Sequence, residues 1–191
     1  MSRREELLSG ATRYVGEHGL ATLTLRPLAA ALGTSDRMLV YHFGSRERLV
    51  VALLDRAFTD LASVWEGRRV ERPSDLVRGL WRAFEEPGSR AAMRLYLEAA
   101  SLAGTDPLWR EHLAPATSLY LDTAKRWLVD AGMDPGVAGP AARLASASLD
   151  GLVLQLGIDG DRAAAEESVE LLARNLDGLD RPGRRAGAND H

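Results

Sequence analysis

A chain of 191 residues, 46% of them apolar, is long enough for one or two domains with a real core. Its 24 basic and 27 acidic residues leave a formal charge of −3, which argues against a general nucleic-acid binder. Cysteine is absent, which excludes disulfide frameworks and thiolate chemistry. No apolar run reaches bilayer length, so no membrane partner is expected. The opening residues lack a signal-peptide pattern, so a cytoplasmic location is the expectation. The charge is uneven: residues 1–50 hold seven Arg against five acids, about +2, and the rest carries about −5.

Residues 2–18 carry a helical stripe of Leu7, Ala11, Tyr14 and Val15, stopped by Gly19. Arg3 and Arg4 either reach DNA phosphates or lie on a solvated terminus. Thr24 is placed to cap a second helix whose buried face is Leu25, Leu28, Ala29 and Leu32. Pro27 falls in its first turn, where a missing amide costs little. Gly33 breaks the helix and can take left-handed backbone. Ser35 then caps a third helix with Leu39 and Phe43 on its inner side, and Ser45 caps a fourth with Glu47 just inside. This is the spacing of a helix-turn-helix: a small Ala29 for close approach, Gly33 for the turn, Leu39 as anchor. Thr34, Ser35, Asp36, Arg37 and Met38 are left at the exposed start of a recognition helix.

The helix after Ser45 keeps its period through Leu49, Leu53, Leu54, Phe58, Leu61 and Trp65 to about Arg68, where a polar stretch with a proline ends it. Helices follow over Asp75–Glu86 and Ser89–Ala103, then over Pro107–Ala131 with a bend near Pro115. Asp134-Pro135 starts the next, with a kink or late start expected at Pro140 and a stripe of Leu144, Ala145, Leu149, Leu152 and Leu156. A turn over 157–161 leads to a last helix, Arg162–Leu179, with Val169, Leu172 and Leu176 on one side. Residues 181–191 are expected to be disordered. No strand pattern occurs. The fold expected is all-α: a three-helix DNA-binding domain over 1–48, a larger helical domain over 49–180, and a tail.

The residues Gly19, Thr22, Thr24-Leu25-Arg26, Leu28-Ala29, Leu32-Gly33, Ser35, Leu39, His42-Phe43, Ser45, Arg46-Glu47 and Leu49 together resemble the DNA-binding domain of the tetracycline-repressor (TetR) family. That family often has Tyr where Val40 stands, with Tyr41 next to it here, and Lys where Arg46 stands. The resemblance implies a ligand-responsive transcriptional regulator of the repressor type. It would act as a homodimer on a palindromic double-stranded operator, with half-sites ~34 Å apart. A small apolar or aromatic effector would release it.

By chemistry, Thr34, Ser35, Arg37 and Met38 are candidates for base edges, with Arg37 suited to guanine. Thr24, Arg26, Tyr41, His42 and Arg46 are candidates for phosphates, Tyr41 and His42 equally for packing. The resemblance implies a four-helix dimer interface from the last two helices. The residues offered for it are Ala141, Leu144, Ala145, Ser148, Leu149, Leu152, Leu156, Val169, Leu172 and Leu176; the alternative is that these stripes fill one chain's core. Trp65, Trp81, Met93, Tyr96, Glu98, Trp109, His112, Tyr120 and Trp127 are candidates for an effector pocket or are ordinary core aromatics with polar neighbours.

The metal spacing H-E-x-x-H, the nucleophile elbow and phosphate-binding glycine loops are absent, and Asp159-Gly160-Asp161 lacks EF-hand spacing. No catalytic residue, metal or cofactor is expected, and no enzyme. A helix-turn-helix head that has lost DNA binding and docks proteins remains the alternative. Salt dependence separates the two.

Overall fold

The computed structural model describes residues 2–20, 22–65 and 70–179. Among them run the helices α1 (Arg3–His18), α2 (Leu25–Ala31), α3 (Asp36–Phe43), α4 (Arg46–Trp65), α5 (Pro73–Glu85), α6 (Pro87–Ala103), α7 (Pro107–Asp130), α8 (Pro135–Asp159) and α9 (Arg162–Leu179). No strand occurs among the described residues. The expected tail and the side chains of Leu61 and Trp65 lie outside what is described.

The chain divides into two compact units. One holds α1–α4, α6 and the start of α7; the other holds most of α5, the rest of α7, α8 and α9. In the first unit Leu7, Ala11 and Val15 of α1, Leu28 of α2 and Leu39 of α3 share one core with Leu49 and Leu53 of α4, Leu95 and Ala99 of α6, and Trp109 and Leu113 of α7. The head therefore has no separate interior. Close packing is visible at Gly10, where an added Cβ would sit 2.5 Å from the Leu32 side chain.

In the second unit α5 is tied to α9 by charge. Asp177 accepts from the Ser74 amide and from Arg72 Nη2, both at 2.9 Å, and Glu170 takes both forks of Arg78 at 2.7 and 2.9 Å. Arg78 in turn holds the Glu170 carboxyl below its ordinary range.

Several helix boundaries differ from expectation: α5 starts two residues earlier, at Pro73, and α8 runs to Asp159 through the start of the expected turn. Helix α8 runs unbroken from Pro135, capped by Asp134, through Pro140 to Asp159. The residue before a proline is normally driven out of helical backbone by its Cβ, and Gly139 has none. Helix α6 starts two residues earlier than the pattern suggested, at Pro87, where a proline suits the first helical position. Among the described residues no helix is long and apolar enough to cross a membrane.

Asp150, on α8, has its carboxyl pushed up to about 6 by burial alone. An acid whose pKa is raised on folding loses stability as pH rises, because the unfolded chain sheds its proton first. Asp150→Asn should therefore match the parent near pH 3. It should become more stable by roughly 1–2 kcal/mol above pH 6, after allowance for solvent screening. Urea denaturation of both proteins across that range checks the divergence.

Candidate nucleic-acid interface

The turn between α2 and α3 is built by backbone chemistry. Leu32 closes α2, and Gly33 follows at φ +62°, which side chains with a Cβ rarely adopt. The Thr34 amide then reaches back to Ala29 O at 2.9 Å and the Gly33 amide to Ala30 O at 3.2 Å. That is the Schellman pairing, and it satisfies carbonyls the ended helix leaves open. Ser35 caps α3 by accepting from the Met38 amide at 3.2 Å. Leu39 and Phe43 are buried and fix the rotation of α3. The opposite face carries Asp36, Arg37, Met38, Val40 and Tyr41, all exposed, with Tyr41 79% accessible.

The nine residues suggested for DNA separate on these coordinates. Arg26, Arg37, Met38 and Tyr41 are exposed. Thr24 is exposed and makes no capping hydrogen bond, contrary to the role read for it, whereas Ser35 spends its hydroxyl oxygen on the cap. Thr34 is half-buried. His42 is half-buried too; its Nε2 is shielded and has no partner among the described residues, and its ring lies edge-on to Tyr41 and Phe43. Arg4, on α1, lays its guanidinium over the Phe43 ring at 5.1 Å, a cation–π contact that puts another exposed cation beside α3. Arg3 pairs with Glu6 at 3.0 Å.

Arg46 departs most from expectation. Its Nε donates to Leu23 O at 2.6 Å and its Nη2 to Leu20 O at 3.3 Å, so the guanidinium is engaged by the α1–α2 loop. Glu98, offered as a pocket handle, works on the same loop: its Oε2 accepts from the Leu20 amide at 2.8 Å. Both roles were hidden because their partners are backbone groups, which every residue carries alike. The remaining described pocket candidates divide between the units. Met93 and Trp109 are buried in the first, Trp109 as part of the shared core, and Tyr96 is half-buried edge-on to Phe58 at 5.7 Å. His112 is half-buried there as well. Trp81 is buried in the second, its Nε1 without a partner among the described residues, and Tyr120 and Trp127 are half-buried.

The interface candidates also separate. Ala141, Ala145, Leu149, Val169 and Leu176 are buried within the single chain, where they pack in its core. Ser148, Leu152, Leu156 and Leu172 are half-buried and Leu144 is exposed. Leu144, from the expected set, is exposed on these helices together with Leu154, Ile158, Leu171 and Leu179, with Ile158 86% accessible. Between the helices lies an open groove of about 360 Å³, bordered by Ser148, Gly151, Leu152, Gln155, Leu171 and Leu172. Among the described residues no group of three or more acids and histidines is placed to hold a metal.

A capped, glycine-turned helix pair presenting an exposed arginine-bearing helix defines a helix-turn-helix DNA-binding protein. The chain belongs to the tetR family of bacterial regulatory proteins, whose pattern residues 7–53 match. It is 33% identical over 133 residues to the HTH-type transcriptional repressor AcnR of Corynebacterium glutamicum, covering 70% of this chain and 67% of that one. A transcriptional regulator from Rhodococcus sp. Rha1 shares the fold with a TM-score of 0.77 at 20% identity, over 95% of this chain and all of that one. The multidrug binding protein EbrR, solved with imidazole, superposes with a TM-score of 0.68 at 25% identity, over 97% and 99% of the two chains. The protein is a DNA-binding transcriptional regulator, as its family and its AcnR relative are.

The Leu20 peptide groups give a direct test. Arg46→Ala and Glu98→Ala should each lower stability by about 1–3 kcal/mol, because a buried backbone group loses its partner. Arg37→Ala, on the exposed face, should leave the thermal midpoint unchanged. Circular-dichroism melts of the three variants beside the parent measure the contrast.

Proposed function

We propose that the protein is a ligand-responsive repressor that binds a palindromic operator as a homodimer. Dimerisation would run through the outward face of α8 and α9. The observation that carries this is a run of exposed aliphatic side chains, Leu144, Leu154, Ile158 and Leu171, along helices whose inner faces are already filled. Contiguous exposed apolar surface marks a partner site. Gly151 supports it: an added Cβ there meets nothing within 4 Å in the single chain. A mid-helix glycine costs about 1 kcal/mol against alanine, and one facing open space has no reason within its own subunit.

In this reading Arg37 makes a forked hydrogen bond to guanine, with Thr34 and Met38 beside it. Arg26, Tyr41 and Thr24 touch phosphates and set register. Ser35 serves as a cap and Arg46 as a strut rather than as contacts. A small apolar or aromatic effector would act through α6, whose Glu98 holds the α1–α2 loop. It must favour the arrangement that does not fit DNA, or nothing shifts. The multidrug-binding description of EbrR supports a ligand of this class.

Selection of duplexes from a random library by the purified full chain should return an inverted repeat with half-sites roughly one helical turn, ~34 Å, apart. A single asymmetric site would overturn the dimeric reading. Arg37→Ala should lose about 1–3 kcal/mol of discrimination at one guanine per half-site.

A second measurement concerns the interface. Gly151→Leu gains helix propensity if its face is free, but pushes two helices apart if a second copy lies on it. Sedimentation should show the variant shifted to monomer, with operator affinity down about a hundredfold as the linked second head is lost.

A further inference from the structure

We propose that Val40 reads thymine through its 5-methyl group in the major groove, beside the base pair that Arg37 contacts. This rests on the DNA-binding role given to α3 above and deepens it.

Leu39 and Phe43 hold one side of α3 in the core, so the opposite side is fixed as well. Arg37 and Tyr41, one turn apart, form its crest. Val40 flanks them on one side and Met38 on the other. Val40 leaves 45% of its surface open to solvent and Met38 39%. The branched Cβ of Val40 lowers helix propensity in an eight-residue helix. An exposed branched apolar side chain beside a guanidinium, a phenol and the thioether of Met38 gains most where the partner is apolar at that point. The major groove has one such group, the thymine methyl.

Spacing makes the assignment specific. Side chains three residues apart on a helix face lie about 5–6 Å apart, and successive base pairs rise about 3.4 Å. The thymine sensed by Val40 should therefore lie one or two base pairs from the guanine sensed by Arg37.

The experiment replaces each thymine of the selected duplex, one at a time, with deoxyuridine. That deletes the methyl and keeps the base pairing. Affinity is read by fluorescence anisotropy with the full-length chain at fixed salt. One thymine per half-site should show binding weakened roughly fourfold per methyl lost. Val40→Ala should bind the thymine and deoxyuridine duplexes alike, with both affinities read below that variant's own melting midpoint. Arg37→Ala should bind both less tightly but preserve their ratio. Indifference of the parent to deoxyuridine at every position overturns the proposal. So does a ratio that survives in Val40→Ala, or one that vanishes only in Met38→Ala. Failure of the α3 reading shows itself earlier and differently, as no duplex retained even at low salt.

Discussion

The position of the recognition helix depends on how the loop between α1 and α2 is held. Leu20 and Leu23 bury their side chains in the core, which draws a stretch of non-helical backbone inward. Its polar groups then need partners, since a buried unpaired amide or carbonyl costs about 1–3 kcal/mol. Two ionised side chains meet that need from different elements. Glu98 of α6 takes the Leu20 amide, and Arg46 at the start of α4 takes the Leu20 and Leu23 carbonyls. Hydrogen bonds to charged groups are the stronger kind. Helix α2 begins only two residues after Leu23 and leads through its glycine turn into α3, so displacing either strut moves the reading surface.

This arrangement explains why the head shares its core with α6 and α7 instead of forming an interior of its own. Three short helices enclose little apolar surface, and small cores are marginal alone. Borrowing Leu95, Ala99, Trp109 and Leu113 removes that deficit. It also makes α6 mechanically answerable to the head, because Glu98 cannot shift along α6 without pulling on the peptide it holds.

The helix-turn-helix was legible because its signals are local. Ser35 as cap, Gly33 at the turn, and Leu39 and Phe43 as anchors each act within a few residues. The struts were not, since Glu98 lies 78 residues from Leu20 and Arg46 lies 26 away. A sequence shows that a charge exists, not what faces it. Helix α8 failed for another reason. It is apolar nearly all round, so its period fixes no single buried face. Ala141 and Ala145 pack within the single chain, whereas Leu144, offered with them for the interface, is exposed along with Leu154 and Ile158.

Moving Arg46 from the phosphate contacts to the struts changes what the DNA surface can rely on. The chain is acidic overall, and the exposed cations near α3 reduce to a few arginines, Arg4, Arg26 and Arg37 among them. Phosphate contacts supply affinity without sequence preference, and base-edge contacts supply preference. A head with few of the first must draw more of its affinity from the second and from pairing two heads. Base-edge contacts reward positional accuracy, and accuracy is what the Schellman turn, the Ser35 cap and the doubly held Leu20 provide. In the proposed reading, the tethering behind α3 serves base-edge contact by holding its contacting side chains in fixed places.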